Sequence, residues 1–213
     1  MSAQQHPIQP TISVKGEGVV SVVPDKAMIK VRVEEKGTSA QEVKSQTDTA
    51  IDNVIKFLRS MKLDEKDFKT DYITLNKNFD YNKKVYNYVS TQSISIKLND
   101  LDDYEALMNG LIQSGINRID GVTFGSSNAE ALRVEARKNA IKDAKSKAED
   151  YVSVLNQAVG KALTISEMGS NNPQPQLRAM AMDASYESSE PKETLAKGEM
   201  QIKVEVNVVF ELK

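Results

Sequence analysis

Between Leu132 and Leu155 a helical stripe recurs every three or four residues, Leu132, Ala136, Ala140, Ala144, Ala148, Val152 and Leu155, and most of it is alanine. Side chains this small let a helix backbone lie close to whatever it covers, so this stretch constrains the fold more than any other. Ser127 with Glu130 three residues later reads as a capping box that opens the helix. The pattern runs to about Val159, just before Gly160, which makes it roughly 45 Å long at a rise of 1.5 Å per residue. A helix of that length is expected to lie across a sheet. Its other face carries Arg133, Arg137, Lys138, Lys142, Lys145 and Lys147 among Glu135, Asp143 and Glu149. Charges alternating in this way read as a solvated face.

Sheet material is plentiful. Residues 12 to 23 form one extended stretch, and after Pro24-Asp25 the residues Ala27, Ile29, Val31 and Val33 alternate with polar ones, which predicts a hairpin with one buried face. Residues 68–79 and 85–98 are two more alternating stretches, joined through Asp80-Tyr81-Asn82-Lys83-Lys84 and expected to pair antiparallel. Short strands are predicted at Ile119–Phe124 and 162–168. The chain closes with the cleanest alternation of all, Met200, Ile202, Val204, Val206, Val208, Phe210 and Leu212 on one face. Two further helices are legible. One follows Ser39 and Glu42 along Val43, Thr47, Ile51, Val54 and Leu58; the other follows Asp100 along Leu101, Tyr104, Leu107 and Leu111, with Gly115 placed to end it. The fold class is therefore α+β, a largely antiparallel sheet covered by two amphipathic helices and one long Ala-rich helix.

Composition narrows the chemistry. Cysteine is absent and the sole histidine, His6, lies in a polar leader over residues 1–11, so thiol redox chemistry, Cys/His zinc sites and histidine-dependent triads are excluded from the folded body. Lys+Arg 28 against Asp+Glu 30 gives a net charge of -2, which argues against nucleic acid as a partner. No apolar run approaches the roughly 20 residues needed to span a bilayer, so no integral membrane segment is expected. The start has no basic and apolar signal regions; Ser2-Ala3-Gln4-Gln5 is compatible with a terminus left by signal removal, with Met1 added. Residues 12–213 are expected to form a single domain with a long loop at about 169–197, where periodicity disappears and Asn, Ser and Pro accumulate.

Gly16-x-Gly18 leads to Pro24-Asp25-x-Ala27-x-Ile29-x-Val31-x-Val33, then Gly115-x-Asn117, Ala136-Arg137-x-x-Ala140 running to Lys147-Ala148, and finally Gly198-Glu199 before a strand ending Phe210-Glu211-Leu212. In this order and spacing the pieces resemble the SIMPL-domain family over residues 12 to 212. The resemblance implies a bacterial envelope or periplasmic protein of the oxidative-stress defence or periplasmic immunogenic type, with no established enzymatic activity or cofactor, and with some relatives that resemble ring-like or channel-like homo-oligomers. Two departures are visible: Ala196-Lys197 stands where relatives tend to have proline before the glycine, and Asn156-Gln157 replaces a more apolar helix end.

Several residues bear on function. Gly16 and Gly18 lack the third glycine and following helix of a phosphate loop, and read instead as a bulge or a close backbone approach. Asp100, Asp102 and Asp103 read as helix capping, and Asp64-Glu65-Lys66-Asp67 as a solvated turn. Met180 and Met182 in a mobile loop, with Met168 upstream, offer soft thioethers to cuprous ion or to oxidants, or serve simply as loop anchors. Six of the twelve aromatics, Phe68, Tyr72, Phe79, Tyr81, Tyr86 and Tyr88, fall in the central hairpin. They serve cross-strand packing or a subunit or ligand surface, with the tip Phe79, Tyr81, Tyr86 and Tyr88 as the candidate interaction site. The leading expectation is a non-enzymatic protein acting by self-assembly or by binding an envelope partner. The competing classes are a small-ligand or metal-binding module, and a hydrolase using carboxylates such as Asp71, Asp120 and Glu167.

Overall fold

The computed structural model describes residues 9–82, 84–168, 195 and 197–213. In chain order its elements are β1 (Thr11–Val22), β2 (Lys26–Gly37), α1 (Ala40–Ser60), β3 (Phe68–Asp80), β4 (Val85–Leu98), α2 (Tyr104–Gln113), β5 (Arg118–Gly125), α3 (Ala129–Ser153), β6 (Val159–Met168) and β7 (Met200–Leu212). The class is α+β and every strand pairing is antiparallel, but the strands divide between two sheets that belong to two compact units.

One unit contains β1, α3, β6 and β7, with sheet order β1-β7-β6. The regular alternation of the last strand places Met200, Ile202, Val204, Val206, Val208 and Phe210 on the buried face. Against that face lies α3, through Ala136, Ala140, Ala144 and Ala148. The small stripe does bring the backbones together, and Gly16 and Gly18 on β1 make the approach possible. A Cβ on Gly16 would sit 2.0 Å from the carbonyl oxygen of Ala140, and one on Gly18 would sit 1.9 Å from that of Ala136. Pairing of β1 with β7 continues in unbroken register through both glycines, so the close-approach reading holds and the bulge does not.

Two features of α3 depart from expectation. It ends at Ser153, so its 25 residues span roughly 38 Å, and Leu155 is exposed. The stop signal is Asn156, held at φ 52, with the N–H groups of Leu155 and Gln157 turned back onto the Val152 carbonyl. Asparagine tolerates the left-handed conformation nearly as glycine does, so Asn156, and not Gly160, closes the helix. The charged face is also less idle than its alternation suggests. Asp143 Oδ2 accepts from the Glu17 N–H at 2.8 Å and Lys147 Nζ donates to the Lys15 carbonyl at 3.2 Å, so α3 occupies part of the hydrogen-bonding edge of β1. Its hydrogen bond from Lys147, and then the Glu17 N–H, hold the Asp143 carboxyl below its ordinary range.

The other unit, Pro24–Ser127 with Leu195, has sheet order β3-β4-β2-β5. Ala27, Ile29, Val31 and Val33 of β2 and Ile94, Ile96 and Leu98 of β4 face α1, which buries Ile51, Val54 and Leu58, and α2, which buries Leu107 and Leu111. Ser39 caps α1 by accepting from the Glu42 N–H, as the pattern predicts, and Gly115 adopts φ 110 just past α2. The predicted β1–β2 hairpin does not form: β1 pairs with β7, whereas β2 lies between β4 and β5. The flanks of Pro24-Asp25 therefore enter different sheets.

Asp25 has a different task. Its carboxylate accepts the Ser127 N–H at 2.7 Å and the Ser127 hydroxyl. Ser127 is therefore not the helix cap; that position falls to Asn128, which makes no side-chain capping bond. The Ser127 hydroxyl bond is the main cause holding the Asp25 carboxyl below its usual value. A depressed carboxylate contributes stability above the unfolded pKa of about 4 that is lost as pH falls through the lower folded value. Asp25→Asn should therefore lower the urea midpoint at pH 7, and the midpoints of variant and native chains should converge as pH falls through the folded value of the Asp25 carboxyl.

Candidate functional site

The candidate surface is the β3–β4 hairpin, and its geometry follows from the lengths of its neighbours. β2 ends at Gly37, which stands opposite Tyr88, whereas β3 and β4 remain paired through Asn78↔Asn87, Phe79↔Tyr86 and Asp80↔Val85. Beyond Tyr88 the sheet is therefore a two-stranded ribbon. Asp80 Oδ1 accepts from the Asn82 N–H at 3.0 Å and closes the turn at its end.

The register puts Ile73, Leu75, Lys77 and Phe79 of β3 on the same face as Gln92, Ser90, Tyr88 and Tyr86 of β4. That face continues the one that carries Ile94 and Ile96 into the core, but there the two outcomes differ. Ile96 is fully buried, whereas Ile73 is 64% exposed and Leu75 46%. On the edge strand these two side chains remain largely in solvent.

At the ribbon end the aromatic side chains gather. Phe79 stands edge-on to Tyr81 with centroids 5.2 Å apart, and 5.0 Å from Tyr86. Lys77 Nζ sits 4.1 Å above the Tyr86 ring and 5.8 Å from that of Tyr88. The four residues expected at the tip are thus brought together, with Tyr88 half-buried and the others exposed. Sequence reasoning missed Lys77; its place between Leu75 and Phe79 on one alternating face was the available signal.

Carboxylates do not converge. Asp71 accepts from the Ser95 hydroxyl, Asp120 Oδ2 takes the Arg32 guanidinium at 2.8 Å, and Glu167 pairs with Arg137 at 2.8 Å in the other unit. The bond to Asp120 raises the Arg32 pKa further, and Arg32 also stacks on the Tyr72 ring. Asp67 was expected in a solvated turn. It is buried instead, accepting from Lys97 at 3.3 Å and from Asn99 at 2.7 Å, because the short helical turn at 65–67 folds it onto the end of β4.

Among the described residues no three His, Cys, Asp or Glu side chains are grouped to hold a metal. An open depression of about 380 Å³ between α1 and α2 is lined by Ser45, Gln46, Thr49, Asn53, Gln113 and Ser114 over Ala50 and Gly115, without an ionisable group. Met168 ends β6 in an exposed position, while Met180 and Met182 lie outside the described residues.

Sequence comparison settles the family. Residues 12–210 match the model of SIMPL, a protein of unknown function (DUF541). The chain belongs to the SIMPL family. This SIMPL chain is 28% identical over 215 residues to the uncharacterized protein YggE of Escherichia coli K12, covering 99% of the chain and 87% of that protein. It is 27% identical over 216 residues to the 26 kDa periplasmic immunogenic protein of Brucella melitensis, covering 95% and 84%. A mouse protein named interleukin-1 receptor-associated kinase 1-binding protein 1 is 25% identical over 174 residues, covering 78% of the SIMPL chain and 62% of its own length. None of these names indicates an enzyme. Among the described residues no helix is long and apolar enough to cross a membrane.

Proposed function

We propose that this SIMPL protein is a non-enzymatic component of the bacterial envelope, periplasmic after signal removal, that acts by assembling with copies of itself or binding a partner through the β3–β4 hairpin. The observation that carries this reading is the exposed continuation of a core face: Ile73, Leu75 and Phe79 of the edge strand β3 share one side of the sheet with Tyr86 of β4, all of them exposed. An edge strand bordered by exposed apolar side chains favours pairing with another chain. In this reading the residues from 12 onward work as one SIMPL domain built of two units. The periplasmic name of the Brucella relative supports the location. A part in oxidative-stress defence is drawn from the family resemblance.

The test is sedimentation velocity across a hundredfold range of concentration. Native chain is expected to sediment as a larger species at high concentration, and Ile73→Lys with Leu75→Lys to remain monomeric while keeping its circular dichroism. A native chain that is monomeric throughout, and that captures no envelope component through the hairpin, would contradict the reading.

A further inference from the structure

We propose that the end of the β3–β4 ribbon docks on an anionic lipid bilayer, setting Phe79, Tyr81, Val85 and Tyr86 at the boundary between headgroups and acyl chains with Lys77 and Lys84 against lipid phosphates. The inference rests on the hairpin being the protein's binding surface, and names what its tip meets.

Shape comes first. Past Gly37 only two strands remain, so the paired residues Asn78–Asp80 and Val85–Asn87 extend as a ribbon roughly 10 Å beyond the third strand before the turn is added. On it Tyr81 is 84% exposed, Tyr86 55%, Val85 44% and Phe79 38%. Four apolar or aromatic side chains thus stand exposed at the end of the ribbon, Phe79 and Tyr86 on one face and Val85 on the other.

Size and charge then choose the occupant. A stable protein interface takes roughly 20–30 residues from each side, far more than a ribbon end between Phe79 and Tyr86 can supply. A bilayer boundary asks for less: tyrosine rings with an apolar body and a polar tip, flanked by cations. Lys77 and Lys84 have no carboxylate partner among the described residues, although most lysines and arginines on the neighbouring strands and helices do have one. Asp80 directs one oxygen to the backbone N–H of Asn82. Because the whole chain carries a net charge of -2, anionic lipid would attract this end and not the molecule at large, which fixes the orientation of docking.

The experiment uses the full chain with two kinds of vesicle, phosphatidylcholine alone and roughly 3:1 phosphatidylcholine to phosphatidylglycerol. Since the chain has no tryptophan, Tyr81→Trp places a single reporter at the tip. Its emission is expected to shift to the blue with the anionic vesicles, and flotation to recover the protein with them, less at high salt. Tyr81→Ser with Tyr86→Ser should weaken binding roughly tenfold or more, and Lys77→Gln with Lys84→Gln by a similar factor. All four side chains are exposed, so an unchanged thermal midpoint verifies folding. Absence of binding to anionic vesicles, or binding that ignores both double variants, would overturn the inference. If vesicles are not bound but the tip variants alter sedimentation, the tip meets protein: the lipid inference fails and the hairpin surface stands. If neither measurement responds, both fail.

Discussion

Replacing Gly18 with valine should prevent stable folding of the unit that contains α3. Even the first carbon of any side chain there would lie 1.9 Å from the Ala136 carbonyl oxygen and 2.6 Å from the Ala140 nitrogen, both backbone atoms in a continuous helix. A flexible neighbour could swing aside, but a helical backbone cannot yield locally without the whole of α3 lifting from the sheet. Overpacking by one or two carbons in a tight core ordinarily costs about 1–3 kcal/mol. Here the obstruction is helix backbone and not a side chain that can turn away, so Gly18→Ala is expected at or above the top of that range and Gly18→Val beyond it. The natural control is Gly121, where an added Cβ meets nothing within 4 Å; Gly121→Ala should fall within about 0.5 kcal/mol of the native chain. Chemical denaturation followed by circular dichroism compares the three. Equal midpoints for Gly18→Ala and Gly121→Ala would refute the close-packing account.

A second contrast tests whether the exposed stripe belongs to the core or to function. Ile96 and Ile73 point to the same side of the same sheet, but one is fully buried among Val54, Leu58 and Leu107 and the other is 64% exposed. Ile96→Ala leaves a cavity and should cost about 2–5 kcal/mol. Ile73→Ala removes little buried area and should cost under about 0.5 kcal/mol in a dilute monomer. A comparably large loss at Ile73 under dilute conditions would mean that the residue already packs within its own chain. That outcome would remove the stripe from any role in assembly.

The sequence was most informative where one element decides its own form. Alternation located β7, β3 and β4, and the spacing of Val43, Thr47, Ile51, Val54 and Leu58 located α1 and its buried side. The Gly16 and Gly18 pair announced either a bulge or a close approach, and the unbroken register of β1 with β7 decides for the second. What escaped was decided at a distance. Whether β1 folds onto β2 or onto a strand at the other end of the chain is not written in a Pro-Asp turn. Ser127 looked like a cap because its local pattern permits one, but its hydroxyl is held by Asp25, 102 residues earlier. Asp67 looked solvated within a charged run, and became buried because Lys97 and Asn99 reach it from β4. For the candidate surface, the aromatic concentration was legible from composition, whereas the exposure of Ile73 and Leu75 was not. Periodicity tells which way a side chain points, but only the reach of α1 and α2 determines whether anything lies over it.

The central claim, that this SIMPL protein works through the β3–β4 hairpin, is met most directly by amide hydrogen exchange measured on dilute and concentrated native chain and on chain with anionic vesicles. The account predicts that slowing of exchange appears in Phe68–Asp80 and Val85–Asn87 under the associating conditions, while the edge of β6 exchanges as before. Protection that arises at β6 with the hairpin unchanged would contradict it.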